Sequence, residues 1–247
     1  MNKPQSPPNR RTGVGARIRG AACQGADRLM YRALRQIFLK QPLPATTAAE
    51  LDALLEAADR YSNPAQLRDP DRLLMPRGEF PRLAPVRSKR VRGGTLSHFR
   101  LPTPYRPIDP NYSDTFDRYE DVKNVHIFAW RHPKPAPLSI LLLHGWAVGS
   151  RRLHEVEFSI GTLFRRLGLD VYFYVAPFHG LRRPTGFRSG ELHPSIDIIR
   201  SNEAFVQTVQ ELRALITMIQ AERSAPIGVM GSSLGGYTSA LLASVDD

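Results

Sequence analysis

One pattern in this chain has the residue types and spacing to do covalent chemistry: Gly231-Ser232-Ser233-Leu234-Gly235-Gly236. An apolar run, Ile227-Gly228-Val229-Met230, precedes it, and Tyr237-Thr238-Ser239-Ala240-Leu241-Leu242-Ala243 follows in helical composition. The order is strand, tight turn, helix, with Ser233 at the apex. Such a turn holds its central residue in a sparsely populated backbone conformation, at a cost of roughly 1–3 kcal/mol. Gly231 and Gly235 are read as positions where a Cβ would collide with the neighbouring strand and helix. The turn lifts the serine oxygen above the sheet and aims the following backbone N–H groups at an incoming carbonyl. Gly-x-Ser-x-Gly matches by chance in roughly one chain in twelve of this length, so its value rests on the strand and helix around it.

The elements that must position this turn are legible upstream. Pro137-Leu138-Ser139-Ile140-Leu141-Leu142-Leu143 is apolar without alternation, as in a strand buried on both faces, and ends in His144-Gly145-Trp146. Val171-Tyr172-Phe173-Tyr174-Val175 is a second such run and ends at Pro177-Phe178-His179-Gly180. Helices are expected through Val156–Leu167 and from Ile198 to about Glu222, where Phe205, Val209, Leu212, Ile216 and Ile219 recur at helical spacing. Leu181–Pro194 reads as a long insertion. Alternating strand and helix predicts an α/β fold with a mostly parallel sheet flanked by helices, and sites at the carboxyl ends of the strands. Two further strands are expected at Thr95–Leu101 and Asn124–Trp130.

The preceding residues differ in character. Residues 1–110 carry 20 Lys and Arg against 9 Asp and Glu, while residues 111–247 carry 14 of each, so the net charge of +11 belongs to the N-terminal part. Residues 1–24 read as disordered, and 26–40 as a basic amphipathic helix with Met30, Ala33, Leu34, Ile37 and Phe38 on one face and Arg28, Arg32 and Arg35 on the other. Docking of that apolar face on the domain is preferred, with peripheral membrane contact through 26–40 as the alternative. Thr47 to Tyr61 is a second helix with Thr47 as N-cap. Residues 64–92 read as a proline-rich connection with little regular structure. The expected organisation is thus a basic extension over 1–92 and a catalytic-type domain over 93–247. Nucleic acid is disfavoured as a partner, because the arginines lack interleaved aromatics and any nucleic-acid-binding motif. Cys23 is the single cysteine and no signal peptide or membrane span is seen, so a cytoplasmic setting is expected.

From Thr95 to the C-terminus the chain resembles the α/β-hydrolase superfamily, specifically esterase-like bacterial members. The resemblance is carried by His144-Gly145-Trp146, Pro177-Phe178-His179-Gly180 and Gly231-Ser232-Ser233-Leu234-Gly235-Gly236, with Gly145 and Gly231 separated by 86 positions. It implies a small-molecule ester substrate, Ser233 as nucleophile, and the backbone N–H groups of Trp146 and Leu234 as the oxyanion hole. It makes His144, Gly145, Gly231 and Gly235 supporting residues, with His144 and His179 structural rather than basic. No cofactor or metal is implied. In the family the acid and histidine follow the nucleophile, and only fourteen residues follow Ser233, none of them histidine. The expectation is a C-terminally truncated hydrolase domain, close to inactive as it stands, with the strand at 227–230 left as an edge open to self-association. A non-catalytic binding or scaffold protein of the same fold, or an inactive truncated gene product, is the alternative. A peptidase or thioesterase on this fold is a narrower one.

Overall fold

A computed structural model describes residues 47–62, 84–148 and 150–245, together with isolated positions at 20–32, 64, 68, 69 and 80. Residues 1–19, most of the expected 26–40 helix including its whole apolar face, and Asp246-Asp247 lie outside the described residues. The chain divides into two compact units, Met1–Glu50 and Leu51–Asp247. In the first, positions 27–29 and 31–32 are helical and exposed. Thr47 and Glu50 cap each other there: the Glu50 amide donates to Thr47 Oγ1 at 3.2 Å and the Thr47 amide to Glu50 Oε2 at 2.7 Å. This reciprocal pair starts helix α1, Ala48–Tyr61, as the N-cap reading anticipated.

The second unit is built on a six-stranded sheet. Its strands are β1 (Arg87–Val91), β2 (Gly94–Pro102), β3 (Asn124–Arg131), β4 (Ser139–Leu143), β5 (Asp170–Val175) and β6 (Ile227–Gly231), in the spatial order β1-β2-β3-β5-β4-β6. The α/β expectation holds, but the sheet is mixed. Only β5–β4 and β4–β6 pair in parallel, whereas β1–β2, β2–β3 and β3–β5 are antiparallel. The mostly parallel sheet is therefore corrected to a parallel half, β5-β4-β6, where a helix crosses between strands. In the first half the tight turn at Arg92-Gly93 returns β2 against β1, and the segment 103–123 brings β3 back antiparallel to β2. A second correction concerns β1, which falls inside the 64–92 segment read as irregular. Its sequence, Arg-Ser-Lys-Arg-Val, has no apolar alternation, because all but Val91 are exposed at the sheet edge.

Both faces of the sheet are covered. On β5, Tyr172 and Tyr174 join one core with Ile127, Leu141 and Leu143, and Val171, Phe173 and Val175 join the other with Leu142 and Trp130. The first core is closed by the long helix over Ile198–Arg223 and by a short helix, α2 (Ser113–Asp117), which places Phe116 in it. The second is closed by α3 (Arg151–Glu157) and α4 (Ile160–Arg165). The single helix expected through Val156–Leu167 is thus two helices, broken at Ser159, whose φ of +49° turns the chain so that Phe158 and Ile160 both enter the core. Helix α5, Ile198–Arg223, starts at Asp197, whose side chain accepts from the Arg200 amide. Helix α6, Leu234–Ala243, follows β6 directly.

Candidate functional site

β4 and β6 are parallel neighbours in the register Leu143 to Gly231, and β5 flanks β4 with Tyr174 opposite Leu143. Residues leaving these three strands therefore emerge side by side: Ala176 from β5, His144-Gly145 from β4, and Ser232-Ser233 from β6. This is the carboxyl-end location where open α/β sheets carry their sites.

Ser233 sits at the turn with φ +51° and ψ −113° and its side chain is exposed. Positive φ is costly for any residue with a Cβ, so the surroundings must impose it. They do so on two sides. The Ser232 amide donates to Leu143 O at 3.0 Å, and the Gly235 and Tyr237 amides donate to Ser232 O and Ser233 O at 2.9 and 3.0 Å. A Cβ at Gly235 would overlap the Leu143 carbonyl and lie 2.8 Å from His144 O, and one at Gly231 would run into the Gly235 backbone. Both glycines are there for close approach, as read from the sequence. Gly145 packs on the turn: a Cβ there would lie 3.5 Å from Ser233 Cβ. Leu234 opens α6, in the first turn whose N–H groups have no intrahelical acceptor. Trp146 follows Gly145, and its indole Nε1 donates to Gly190 O in the 181–194 insertion at 2.7 Å.

His144 is buried and uses both ring nitrogens. Nε2 accepts from the Ala176 amide at 3.1 Å, so Nδ1 carries the proton and donates to Gly145 O at 2.8 Å. It stitches the β4 crossover to that of β5, and burial pushes its pKa down to about 4. His179 donates from Nδ1 to Pro177 O at 2.8 Å, and burial holds it neutral, well below the usual range. Among the described residues, no histidine makes a hydrogen bond to Ser233.

Sequence reasoning missed two features around the site. His154, His144, His179 and His193 form a buried row with successive ring centroids 5.1, 5.1 and 6.1 Å apart. Beyond it lies Arg182, fully buried, whose guanidinium grips Glu211 with Nη1 and Nη2 at 2.6 and 2.8 Å. The Glu211 carboxylate also accepts from Tyr174 Oη, Thr103 Oγ1 and Gln207 Nε2 at 2.5, 2.5 and 2.8 Å. Arg182 reaches Val122 O and Val175 O as well, so it ties the loop after β5 to α5 and to the segment before β3. The available signal was Glu211 itself, a carboxylate flanked by core positions Val209 and Leu212 of a helix. Among the described residues no group of three His, Cys, Asp or Glu side chains is placed to hold a metal ion.

Strand order, crossovers and turn together define the α/β-hydrolase fold. A solved structure of a proposed acetyl xylan esterase from Bacteroides fragilis superimposes with a TM-score of 0.51 over 87% of this chain and 57% of that one, at 10% identity. A cold-adapted esterase from an Arctic intertidal metagenomic library gives 0.44 over 66% and 60%, at 18% identity. In sequence, the chain is 30% identical over 173 residues to an uncharacterised protein of Mycobacterium tuberculosis, covering 68% of this chain and 41% of that protein. The chain thus spans about two fifths of the length of the curated relative it matches. No family model matches.

Proposed function

We propose that this fold carries a serine hydrolase site that cleaves small carboxylic esters through an acyl-enzyme on Ser233. The observation that carries the reading is the strained, exposed Ser233 held between two glycines that admit no side chain, with the Gly145 crossover against it. In this reading Ser233 Oγ attacks the carbonyl carbon, the alcohol departs with the serine proton, and water then releases the acid and restores the hydroxyl. The N–H groups of Leu234 and Trp146 take the charge that develops on the carbonyl oxygen, each worth roughly 2.7–4 kcal/mol. His144 keeps Gly145 and Trp146 in place by its two hydrogen bonds and takes no proton. The setting is cytoplasmic, Cys23 being the one cysteine.

With no described histidine on Ser233, turnover by this chain alone is expected to be lower than that of a complete triad by about 10⁴–10⁶. The test is p-nitrophenyl acetate with the chain and its Ser233→Ala variant, followed by mass spectrometry of the quenched protein. A slow acetyl adduct on Ser233, with release at least about tenfold above the variant, is expected from the amide donors alone. Identical rates and no adduct would favour the non-catalytic scaffold reading.

A further inference from the structure

A surface helix ordinarily buries its apolar side chains and exposes its polar ones. α3 does the reverse. Its fully buried residue is His154, whose Nδ1 meets Glu157 at 2.7 Å, while Leu153 and Val156 stand 62% and 78% exposed. Leu167, just past α4, is 59% exposed.

Cations are their neighbours along the chain: Arg151 and Arg152 precede Leu153, and Arg165 and Arg166 precede Leu167. Arg87 and Lys89 of β1 join Arg151 and Arg152 of α3 around a recess of about 270 Å³ lined also by Leu96 and Phe128. A second recess, about 630 Å³, is lined by Val156, Arg165 and Arg166. The acidic groups of α3 are already engaged, Glu155 with Arg151 and Glu157 with His154. Arg87, Lys89, Arg152 and Arg166 have no acidic partner among the described residues. Charge on an edge strand is a common guard against strand pairing, which accounts for β1. It does not account for a leucine and a valine turned outward on a helix beside it.

We propose that the face formed by β1, α3 and α4 is a docking surface for an anionic lipid bilayer. Exposed aliphatic side chains enter the acyl boundary while the surrounding cations meet lipid phosphates, a combination that neither element supplies alone. A surface for single-stranded nucleic acid would instead offer exposed aromatic platforms for stacking. The exposed large apolar residues of this face, Val86, Leu153, Val156 and Leu167, are all aliphatic. The inference is independent of the chemistry at Ser233 and of the basic N-terminal unit.

The experiment is sedimentation of the full chain with vesicles of phosphatidylcholine alone or with 30% phosphatidylglycerol. Binding to the anionic vesicles only, weakened by salt, is expected. Arg152→Ser with Arg166→Ser should weaken it about 30-fold, near fivefold per cation, and Leu153→Ser with Val156→Ser about tenfold or more. All four positions are on the surface, and unchanged circular-dichroism melts confirm that the variants fold. No vesicle binding would overturn the proposal. So would binding that survives both variants and is lost only in Arg28→Ser with Arg32→Ser. Tighter binding of a DNA duplex, sensitive to the same two arginines, would also overturn it.

Discussion

Two polar regions stand within the same unit under opposite rules. At Ser233 the backbone is strained, the side chain is exposed, and no described residue hydrogen-bonds the hydroxyl. At Arg182 and Glu211 both side chains are fully buried, and the carboxylate is met by five donor groups from the arginine, a tyrosine, a threonine and a glutamine. The first region leaves its hydroxyl to solvent, the second satisfies groups that could not otherwise be buried. They are connected through β5: Arg182 fixes the loop that follows it, and His144 hydrogen-bonds the amide of Ala176 at its end. A strained turn persists only where its surroundings over-determine it.

The largest way to break the comparison is at the turn's framework. Gly235→Ala would drive a methyl into the Leu143 carbonyl, which is backbone and cannot swing away. A loss above about 4 kcal/mol in urea melts, or no soluble protein, is expected. Next comes the buried pair. Arg182→Met leaves the Glu211 carboxylate buried without its cation and should cost about 3–5 kcal/mol, whereas replacing both partners by apolar residues should cost less. A single-mutant loss under 1 kcal/mol would show that the pair is hydrated rather than structural.

Acid offers a graded version. The folded pKa of His144 is about 4 against 6.5 for an exposed imidazole, because burial favours the neutral ring. Above pH 6.5 both folded and unfolded chains hold it neutral and its contribution is complete. Between pH 6.5 and 4 the unfolded chain takes a proton that the folded chain refuses, so about 3 kcal/mol is lost, and below 4 the slope levels off. Burial lowers His126, His179 and His193 as well, so urea melts from pH 7.5 to 3.5 read the His144 share as the difference between the chain and His144→Gln, whose curve should be the flatter. Last and smallest, Ser233→Gly removes the Cβ that makes φ +51° unfavourable and should stabilise the chain by about 1 kcal/mol while ending any Ser233 chemistry. A destabilised Ser233→Gly would mean the turn is not strained.

What could be read in advance was whatever depends on neighbours along the chain. The buried runs at 139–143 and 170–175 announce themselves by unbroken apolar composition and the helix after Ser233 by its small and apolar residues, and Gly231 and Gly235 by the turn they permit. β1 did not, since an edge strand with charged residues on both faces has no apolar signal. The break at Ser159 was equally silent: nothing in Phe158-Ser159-Ile160 marks a left-handed residue until the core demands both neighbours.

Local composition was enough to order the buried strands and the long helices and to single out the exposed serine, because backbone conformation and burial of one strand are local choices. Which polar groups meet was settled by packing. Arg182 and Glu211 are 29 residues apart, and Thr103 reaches Glu211 across 108. No local preference encodes such pairings. They follow from the sheet register that sets β5 beside β4, and from the low dielectric between the layers, where a charge remains only if a partner comes to it.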